Sequence, residues 1–208
     1  MLKNNSTILS VAYLAPIQYY KKLVSTSIVY IEQYENFIKQ TYRNRCNIYA
    51  ANGMLPLSIP VQKEFGSKIL IKDIKISYDT NWQKQHWRSI ESAYLSSPYF
   101  EFFSDDLFVF YHKKFKFLFD FNIQIQQVIL EALTLKPKLT FTKEYYNGNQ
   151  EAITDYRHSI HPKKVPAEFI SKQYTQVFSN KHGFISNMSI VDLLFNEGPV
   201  ASSLLIEK

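Results

Sequence analysis

Arginine is scarce in this chain, and its four positions are the first candidates for binding an anion. Lysine makes up the rest of the 24 basic residues and is spread along the whole sequence, whereas the arginines are Arg43, Arg45, Arg88 and Arg157. If a strand begins at Arg45, side-chain alternation places Arg43 and Arg45 on one face. Two guanidinium groups there could clamp a phosphate or a carboxylate. The alternative is a pair of exposed surface arginines.

His86 is the candidate for general acid–base chemistry. The segment from Trp82 to Leu95 has helical spacing, and Trp82, His86 and Ile90 recur at every fourth position. We therefore expect His86 to face the protein interior. An imidazole titrates near neutral pH and can take a proton from a nucleophile. The same placement is also typical of a histidine that is hydrogen-bonded within the core.

A polar segment around residue 160 combines cations, histidines and a carboxylate. Asp155, His158 and His161 have the residue types of a metal site, but their spacing is generic and the proline after His161 disfavours a helix there. We therefore predict no metal. Arg157, His161 and Lys163 could instead form a lid over an anionic ligand. The other interpretation is a solvated loop.

Two more candidates lie near the end of the sequence. Gln176 falls on an expected last strand, Tyr174 to Phe178, and Asp192 falls in a capping box that opens at Ser189. Backbone amides at the start of that helix could bind an anion, although Asp192 also has an adequate structural role there. The sequence has no phosphate-binding loop, dinucleotide fingerprint, nucleophile elbow or paired-cysteine motif, and it indicates no particular cofactor.

The elements that must position these residues begin with a compact βαβ unit. Thr7 to Tyr13 is a continuous apolar strand, a helix begins near Ile17 after Pro16, and Ser27 to Ile31 is a second, β-branched strand. A strand, a short helix and a strand in so few residues predict two parallel strands with a right-handed crossover. The expected fold class is α/β, with a small mixed sheet started by this unit and flanked by helices.

The middle of the chain predicts a hairpin followed by helices. The hairpin runs from Arg45 to Val61 about the turn pair Asn52-Gly53, which tolerates positive φ at both central positions. Ser104 and the two aspartates after it predict the start of a long helix that ends near Leu135 and is kinked near Asn122. The remaining predicted parts are a short strand and a long loop, Leu139 to Thr142 and Tyr146 to Lys172.

Composition limits the class of protein. The 208 residues carry a formal net charge of +6, a single cysteine and 16% aromatic residues. These values exclude a disordered chain and an internal disulfide framework, and they favour one domain over residues 1–208 in a reducing, cytoplasmic compartment. No segment has the length and apolarity of a membrane span. Because the lysines are scattered and not clustered, we expect no nucleic-acid partner.

Taken together, the motifs resemble the WbqC-like protein family. The stretches that carry the resemblance keep one order along nearly the whole chain: residues 13–20, Gln40-Thr41-Tyr42-Arg43-Asn44-Arg45, residues 86–94, 97–100 and 174–178, and residues 183–198. The family is associated with bacterial O-antigen gene clusters, and a glycine-transfer role has been suggested for some members. The positions that the resemblance carries over as site candidates are Arg43, Asn44, Arg45, His86, Gln176 and Asp192.

The first helix departs from the family pattern. Many members have a Gln-Pro-Tyr opening followed by a Gly-Tyr pair, whereas this chain has Ala12-Tyr13-Leu14 and then Gln18-Tyr19-Tyr20. A glycine at that point would let the backbone approach a ligand closely, so this chain has altered or lost that approach.

These observations lead to one functional hypothesis and an alternative. The hypothesis is a group-transfer enzyme of surface-polysaccharide biosynthesis that takes a small anionic donor and a sugar acceptor. Arg43 and Arg45 would hold the donor at the carboxyl end of the early strands. His86 would take the proton and Gln176 would orient the acceptor. The alternative is a sugar-nucleotide-binding or assembly protein of the same pathway that catalyses nothing.

Overall fold

A computed structural model describes residues 6–62, 68–148, 152–164, 169 and 172–206. The strands are β1 (Ser6–Ser10), β2 (Ile28–Glu32), β3 (Arg45–Ala50), β4 (Gly53–Ser58), β5 (Leu139–Phe141) and β6 (Ile153–Asp155). The helices are α1 (Ile17–Val24), α2 (Trp82–Tyr94), α3 (Phe100–Phe108), α4 (Leu118–Ala132), α5 (Ser179–His182), α6 (Ile190–Glu197) and α7 (Ala201–Leu205). Short 3₁₀ turns occupy Ile71–Asp73, Val109–Tyr111 and Gly198–Val200.

The βαβ unit confirms the predicted α/β class. β1 pairs in parallel with β2 over their whole lengths, from Ser6 opposite Ile28 to Ser10 opposite Glu32. β5 and β6 add in parallel at the two edges, so the four-stranded sheet has the order β5-β2-β1-β6. β1 is buried at almost every position because it lies in the interior of this sheet.

β1 ends three residues earlier than the apolar run predicts. After Ser10 the chain turns inward, and Leu14 has a left-handed backbone with φ of +39°. The Tyr13 amide donates to the Tyr42 carbonyl at 2.8 Å, and the Ser189 hydroxyl donates to the Leu14 carbonyl at 2.7 Å. The last apolar residues of the run therefore fill the core as a loop that leads into α1.

The antiparallel pairing lies in a separate two-stranded sheet. β3 and β4 form the predicted hairpin, with Arg45 opposite Ser58 and Ala50 opposite Gly53. Only Gly53 has a positive φ, +95°, so Ala51 and Asn52 form the turn and Gly53 follows it. That arrangement corresponds to a turn with a glycine bulge, and the predicted turn with positive φ at both Asn52 and Gly53 is wrong.

The long helix predicted from Ser104 to Leu135 is two helices. α3 already begins at Phe100, so Ser104 lies inside it, and the chain breaks between Phe108 and Leu118 instead of kinking at Asn122. Buried aromatic side chains cause the break, because the rings of Phe110 and Phe115 stack on each other and both meet Phe121 edge-on. Asn122 lies within α4, where its side chain is fully buried.

The last third of the chain differs most from the prediction. Tyr174 to Phe178 forms no strand, because the Gln176 side chain bonds the backbone of Ile185 and holds this segment as a loop. Ser189 precedes α6 as expected, but its hydroxyl bonds Leu14 and does not cap the helix. The predicted loop from Tyr146 to Lys172 contains β6, and its residues 149–151, 165–168 and 170–171 lie outside the described residues.

Within the described ranges, every helix is too short or too polar to span a bilayer. The buried side chains of the sheet, the hairpin and the helices form a shared hydrophobic core. That core fixes the carboxyl ends of the parallel strands, where Arg43 and Arg157 lie.

Candidate functional site

The parallel sheet has a topological switch point between β1 and β6. The chain leaves β1 through α1 to reach β2 and later adds β5 outside β2, whereas β6 pairs with the opposite edge of β1. Open sheets of parallel strands bind ligands just outside the carboxyl ends of their strands, at the point where the strand order reverses. β1 ends at Ser10 and β6 ends at Asp155, so these two residues mark that point.

Arg43 lies buried beside the switch point, and its charge is paired. Its Nε donates to Glu35 Oε1 at 2.8 Å, and its Nη2 bonds the other oxygen of the same carboxylate. Nη2 also donates to Ser10 Oγ at 2.8 Å, and Nη1 donates to Thr41 Oγ1 at 3.3 Å. Arg43 therefore connects the end of β1 to the segment that follows β2.

Arg157 occupies the other side of the switch point. Its Nε and Nη2 bind the Asp155 carboxylate, and its Nη1 donates to Glu32 Oε2 at 3.0 Å. The rings of Tyr145 and Tyr146 lie over the guanidinium, with centroids 4.9 and 5.3 Å from its central carbon. Glu32 is fully buried at the end of β2, so Arg157 joins the ends of β2 and β6 across β1.

A small crevice separates the two arginines. Its lining includes Arg43 and Arg157 together with Ser10, Tyr42 and Ile160. Its volume is about 10 Å³, which is room for a single water molecule. The crevice is therefore closed to a substrate in this conformation.

Residues 156–164, called the cover segment below, close the crevice from outside. The Tyr156 amide donates to the Ile8 carbonyl at 3.0 Å, and Ser10 Oγ makes a long bond of 3.4 Å to the Arg157 carbonyl. Lys163 Nζ reaches Gln40 at 3.2 Å. Among the described residues, the ion pair of Arg157 with Glu32 is the strongest attachment of this segment.

His161 is a titratable group of the cover segment that is influenced by the charge of Arg43 but does not itself line the crevice. Its side chain is half-buried, and burial together with the charges of Lys164, Lys163 and Arg43 lowers its pKa below the ordinary value of 6.5. The imidazole is therefore neutral at pH 7. Its Nδ1 accepts a hydrogen bond from the Lys163 amide at 3.1 Å.

Arg45 and Asn44 belong to the hairpin. Arg45 is the first residue of β3 and donates from Nε to Ser58 Oγ at 3.0 Å, on the exposed side of the hairpin. Asn44 Nδ2 donates to the Ile59 carbonyl at 2.9 Å, and its Oδ1 is buried with no hydrogen-bond partner. Because Arg43 precedes the strand, alternation does not extend to it, and the guanidinium groups of Arg43 and Arg45 share no partner.

His86 faces the interior, as its spacing predicts, and it is sealed there. Its Nδ1 lies 3.0 Å from the hydroxyl of Tyr13, which in turn lies 2.8 Å from the hydroxyl of Tyr111. The His86 ring packs edge-on against Trp82, and its side chain is 5% exposed. Burial lowers the pKa of His86 to about 4, although a backbone hydrogen bond with Ser58 raises it. This neutral imidazole contacts aromatic rings and not the crevice.

Gln176 and Asp192 form a third cluster, between α6 and the loop before α5. Gln176 Nε2 donates to Asp192 Oδ2 at 2.8 Å, and the Tyr174 hydroxyl donates to the same oxygen. Both Gln176 and Asp192 are buried. Burial raises the pKa of Asp192 to about 6, although the bonds from Tyr174 and Gln176 lower it. Every partner named here belongs to this part of the chain, so the cluster fixes the loop to α6.

Comparison with known proteins identifies the family. The model of the WbqC-like protein family matches residues 12–165, about three quarters of the chain. This chain belongs to the WbqC-like protein family. The matched region contains Arg43, His86, Arg157 and His161, whereas Gln176 and Asp192 lie beyond it.

A curated relative of this WbqC-like chain carries no assigned function. It is the uncharacterized protein Rv1507c of Mycobacterium tuberculosis, which is 25% identical over 199 residues. The alignment covers 81% of this chain and 83% of the relative. No solved structure matches the chain.

Sequence reasoning missed Glu32 and Glu35, two of the three carboxylates of the site in this WbqC-like chain, and considered Asp155 only as a metal ligand. Glu32, Glu35 and Asp155 supply the carboxylates that pair with the two arginines, and Ser10 joins both sides of the crevice. Glu32 and Glu35 lie in a stretch that the sequence marks only as polar and irregular. The signal available was their position just after a buried parallel strand.

Within the part of the chain that the structure describes, no three His, Cys, Asp or Glu side chains come together as metal ligands. His158 and His161 lie on the cover segment, and the Asp155 carboxylate is engaged by Arg157. The arrangement at the switch point is therefore a network of ion pairs below a cationic cover.

Proposed function

We propose that this WbqC-like chain is a group-transfer enzyme of bacterial surface-polysaccharide (O-antigen) biosynthesis. It would move a glycyl or other aminoacyl group from an activated anionic donor to an amino group of a sugar acceptor. The proposed active site is the crevice between Arg43 and Arg157. The family supports the pathway, and the charges at the switch point support the chemistry.

One observation carries the proposal: two guanidinium groups and three carboxylates are concentrated where a sheet of this type binds ligands. The Arg43 and Glu35 side chains are 3% and 4% exposed, and those of Arg157 and Glu32 are 4% and 0% exposed. Buried ion pairs are no more stabilising than well-packed apolar residues of similar volume. Such a concentration of charge is therefore better explained by a ligand than by stability.

The charge balance suits an aminoacyl donor. The three carboxylates outnumber the two guanidinium groups, so the buried floor attracts an ammonium group. The cover segment above it carries Lys163 and Lys164, which attract an anion. An aminoacyl group on an anionic carrier presents both charges, with its ammonium toward the floor and its carrier toward the cover.

His161 is the proposed base in place of His86. The acceptor nitrogen attacks the donor carbonyl, a new amide bond forms and the bond to the carrier breaks. The proton of the attacking amine passes to Nδ1 of His161, which must first break its hydrogen bond with the Lys163 amide, and the carrier leaves as an anion beside Lys163 and Lys164. His86 is 5% exposed and has aromatic neighbours, so its role would be to pack α2 against the core.

Substrate entry requires the cover segment to move. A crevice of about 10 Å³ admits no donor, so the segment must rise from Ser10 and carry Ile160 with it. Closure over the bound donor would then exclude water, which would otherwise hydrolyse the activated group.

The test compares two histidines of the cover segment. Aminoacyl thioesters and aminoacyl phosphates are incubated with nucleotide-linked amino sugars, and mass spectrometry detects the acceptor that has gained an aminoacyl group. His161→Gln is expected to lower the rate by about 100-fold or more, because it removes the base. His158→Gln, its matched control, retains the rate since His158 is exposed on the same segment.

Three results would contradict the proposal. Equal rates for wild type and His161→Gln would remove His161 from the mechanism. Equal losses in the His161→Gln and His158→Gln variants would indicate a general effect on the segment. Binding of the nucleotide sugars without any product would instead favour a binding protein of the same pathway.

A further inference from the structure

A pocket of ligand size, separate from the switch-point crevice, lies at the turn of the hairpin. It is an open groove between the hairpin turn, residues 50–55, and the exposed side of α2. Its volume is about 370 Å³, within the range of small-molecule sites. Arg88, Ser89 and Ser92 of α2 form one wall, since positions three and four apart share a helix face.

Arg88 differs from the other three arginines in having no partner. Arg43 and Arg157 are paired with carboxylates, and Arg45 bonds Ser58. Over the described ranges of the chain, the Arg88 guanidinium makes no hydrogen bond or ion pair, and it is exposed in the groove. Glu91, the nearest carboxylate along α2, does not line the groove. The guanidinium donors are therefore available to a ligand.

The hairpin side of the groove adds an apolar surface, and Lys181 and His182 lie near it without lining it. Lys181 Nζ and His182 Nε2 both bond the Ala51 carbonyl at 2.9 Å, which places these side chains at the tip of the turn. Their partner there is a neutral carbonyl, so the charge of Lys181 is not neutralised by this contact. Met54 is 56% exposed beside Leu55 on the hairpin side. The groove thus offers a cation, hydroxyl groups and an apolar face together.

We propose that this groove binds a small organic anion that also carries hydroxyl groups, of the class of sugar phosphates and acidic sugars. Arg88 engages the phosphate or carboxylate with two parallel hydrogen bonds. Ser89 and Ser92 bond the ligand hydroxyls, and the apolar face of the sugar ring packs on Met54 and Leu55. This site does not depend on the transfer proposed for the switch-point crevice.

The test uses glucose 6-phosphate as the probe, with glucose and inorganic phosphate as comparators. Amide NMR spectra of the ¹⁵N-labelled full chain report binding at Gly53, whose amide lies in the groove and is one of five glycines. Glucose 6-phosphate is expected to shift the Gly53 signal in a saturable way while Gly148 and Gly198 stay in place. Arg88→Gln is expected to weaken binding at least tenfold.

Arg45→Gln is the matched control, because Arg45 lies on the exposed side of the same hairpin at its other end. The Arg45→Gln variant is expected to bind glucose 6-phosphate as the wild type does. In the Arg88→Gln variant, amide signals that are unchanged away from residue 88 show that the variant is folded. A Gly53 signal that glucose 6-phosphate does not move would overturn the proposal. Equal weakening by both variants, or equal affinity for inorganic phosphate and glucose 6-phosphate, would overturn it too, since nonspecific charge would then explain the binding.

Discussion

Arg157→Ala is expected to lower the free energy of unfolding by about 3 to 5 kcal/mol, because it leaves a buried carboxylate without its counter-charge. Glu32 is fully buried and keeps only neutral donors once Arg157 is gone, from Tyr34, Thr142 and Tyr146. Asp155 also loses its partner, but this carboxylate is one third exposed and contributes less. Urea denaturation followed by tryptophan fluorescence measures the loss.

Two further variants make this result specific. Arg157→Ala combined with Glu32→Gln is expected to recover part of the lost stability, because the unpaired buried charge is no longer there. Arg45→Ala, which removes a half-buried arginine that bonds a serine and, among the described residues, pairs with no carboxylate, is expected to stay within about 0.5 kcal/mol of wild type. An Arg157→Ala loss below about 1 kcal/mol, or no recovery in the double variant, would contradict the ion-pair account.

The pH dependence of stability is expected to contain two large and opposite contributions. His86 has a pKa of about 4 in the folded chain against about 6.5 unfolded, so the unfolded state binds the proton first as the pH falls. The contribution of His86 to the free energy of unfolding is therefore complete above pH 6.5. It decreases by about 3 kcal/mol as the pH falls to 4. Asp192 has a folded pKa of about 6 against about 3.9 unfolded. Its protonation therefore stabilises the folded state by about 2 kcal/mol over the same range.

Single variants separate the two contributions. Between pH 7 and pH 4, His86→Gln is expected to gain about 3 kcal/mol relative to the wild-type curve, and Asp192→Asn to lose about 2 kcal/mol relative to it. Each variant also shifts the whole curve through its lost hydrogen bonds, so the comparison uses the change with pH and not the absolute value. His112→Gln, which removes an exposed histidine, is the control and should follow wild type. Parallel curves for all four proteins would contradict these assignments.

Local patterns were sufficient for the elements near the start of the chain. The two apolar runs and Pro16 predicted β1, α1 and β2 as a parallel unit, and four-residue spacing placed His86 inside the protein. Those patterns are set by neighbours in sequence, since a helix or a strand reveals its buried face within one or two turns. The break between α3 and α4 was missed because it depends on how Phe110 and Phe115 pack against Phe121.

The partners of the site residues could not be predicted in the same way. Arg157 meets Glu32 across 125 positions of sequence, and that contact exists only because β6 returns to the edge of β1. Arg43 is a site candidate because arginine is scarce in this chain, but no spacing rule predicts that it pairs with Glu35. The sequence indicates no role for Arg88 beyond its being one of four arginines. The structure places its side chain in an exposed groove.

The central claim is that an anion binds beneath the cover segment, and the titration of His161 by NMR tests it most directly. Inorganic pyrophosphate is the probe, and His161→Gln and His158→Gln assign the signals. Without the probe, burial together with the charges of Lys164, Lys163 and Arg43 holds the pKa of His161 below 6.5. With the probe, the pKa of His161 is expected to rise, since an adjacent anion favours the charged imidazole. An unchanged His161 signal, or an equal rise for His112 and His182, would contradict the claim.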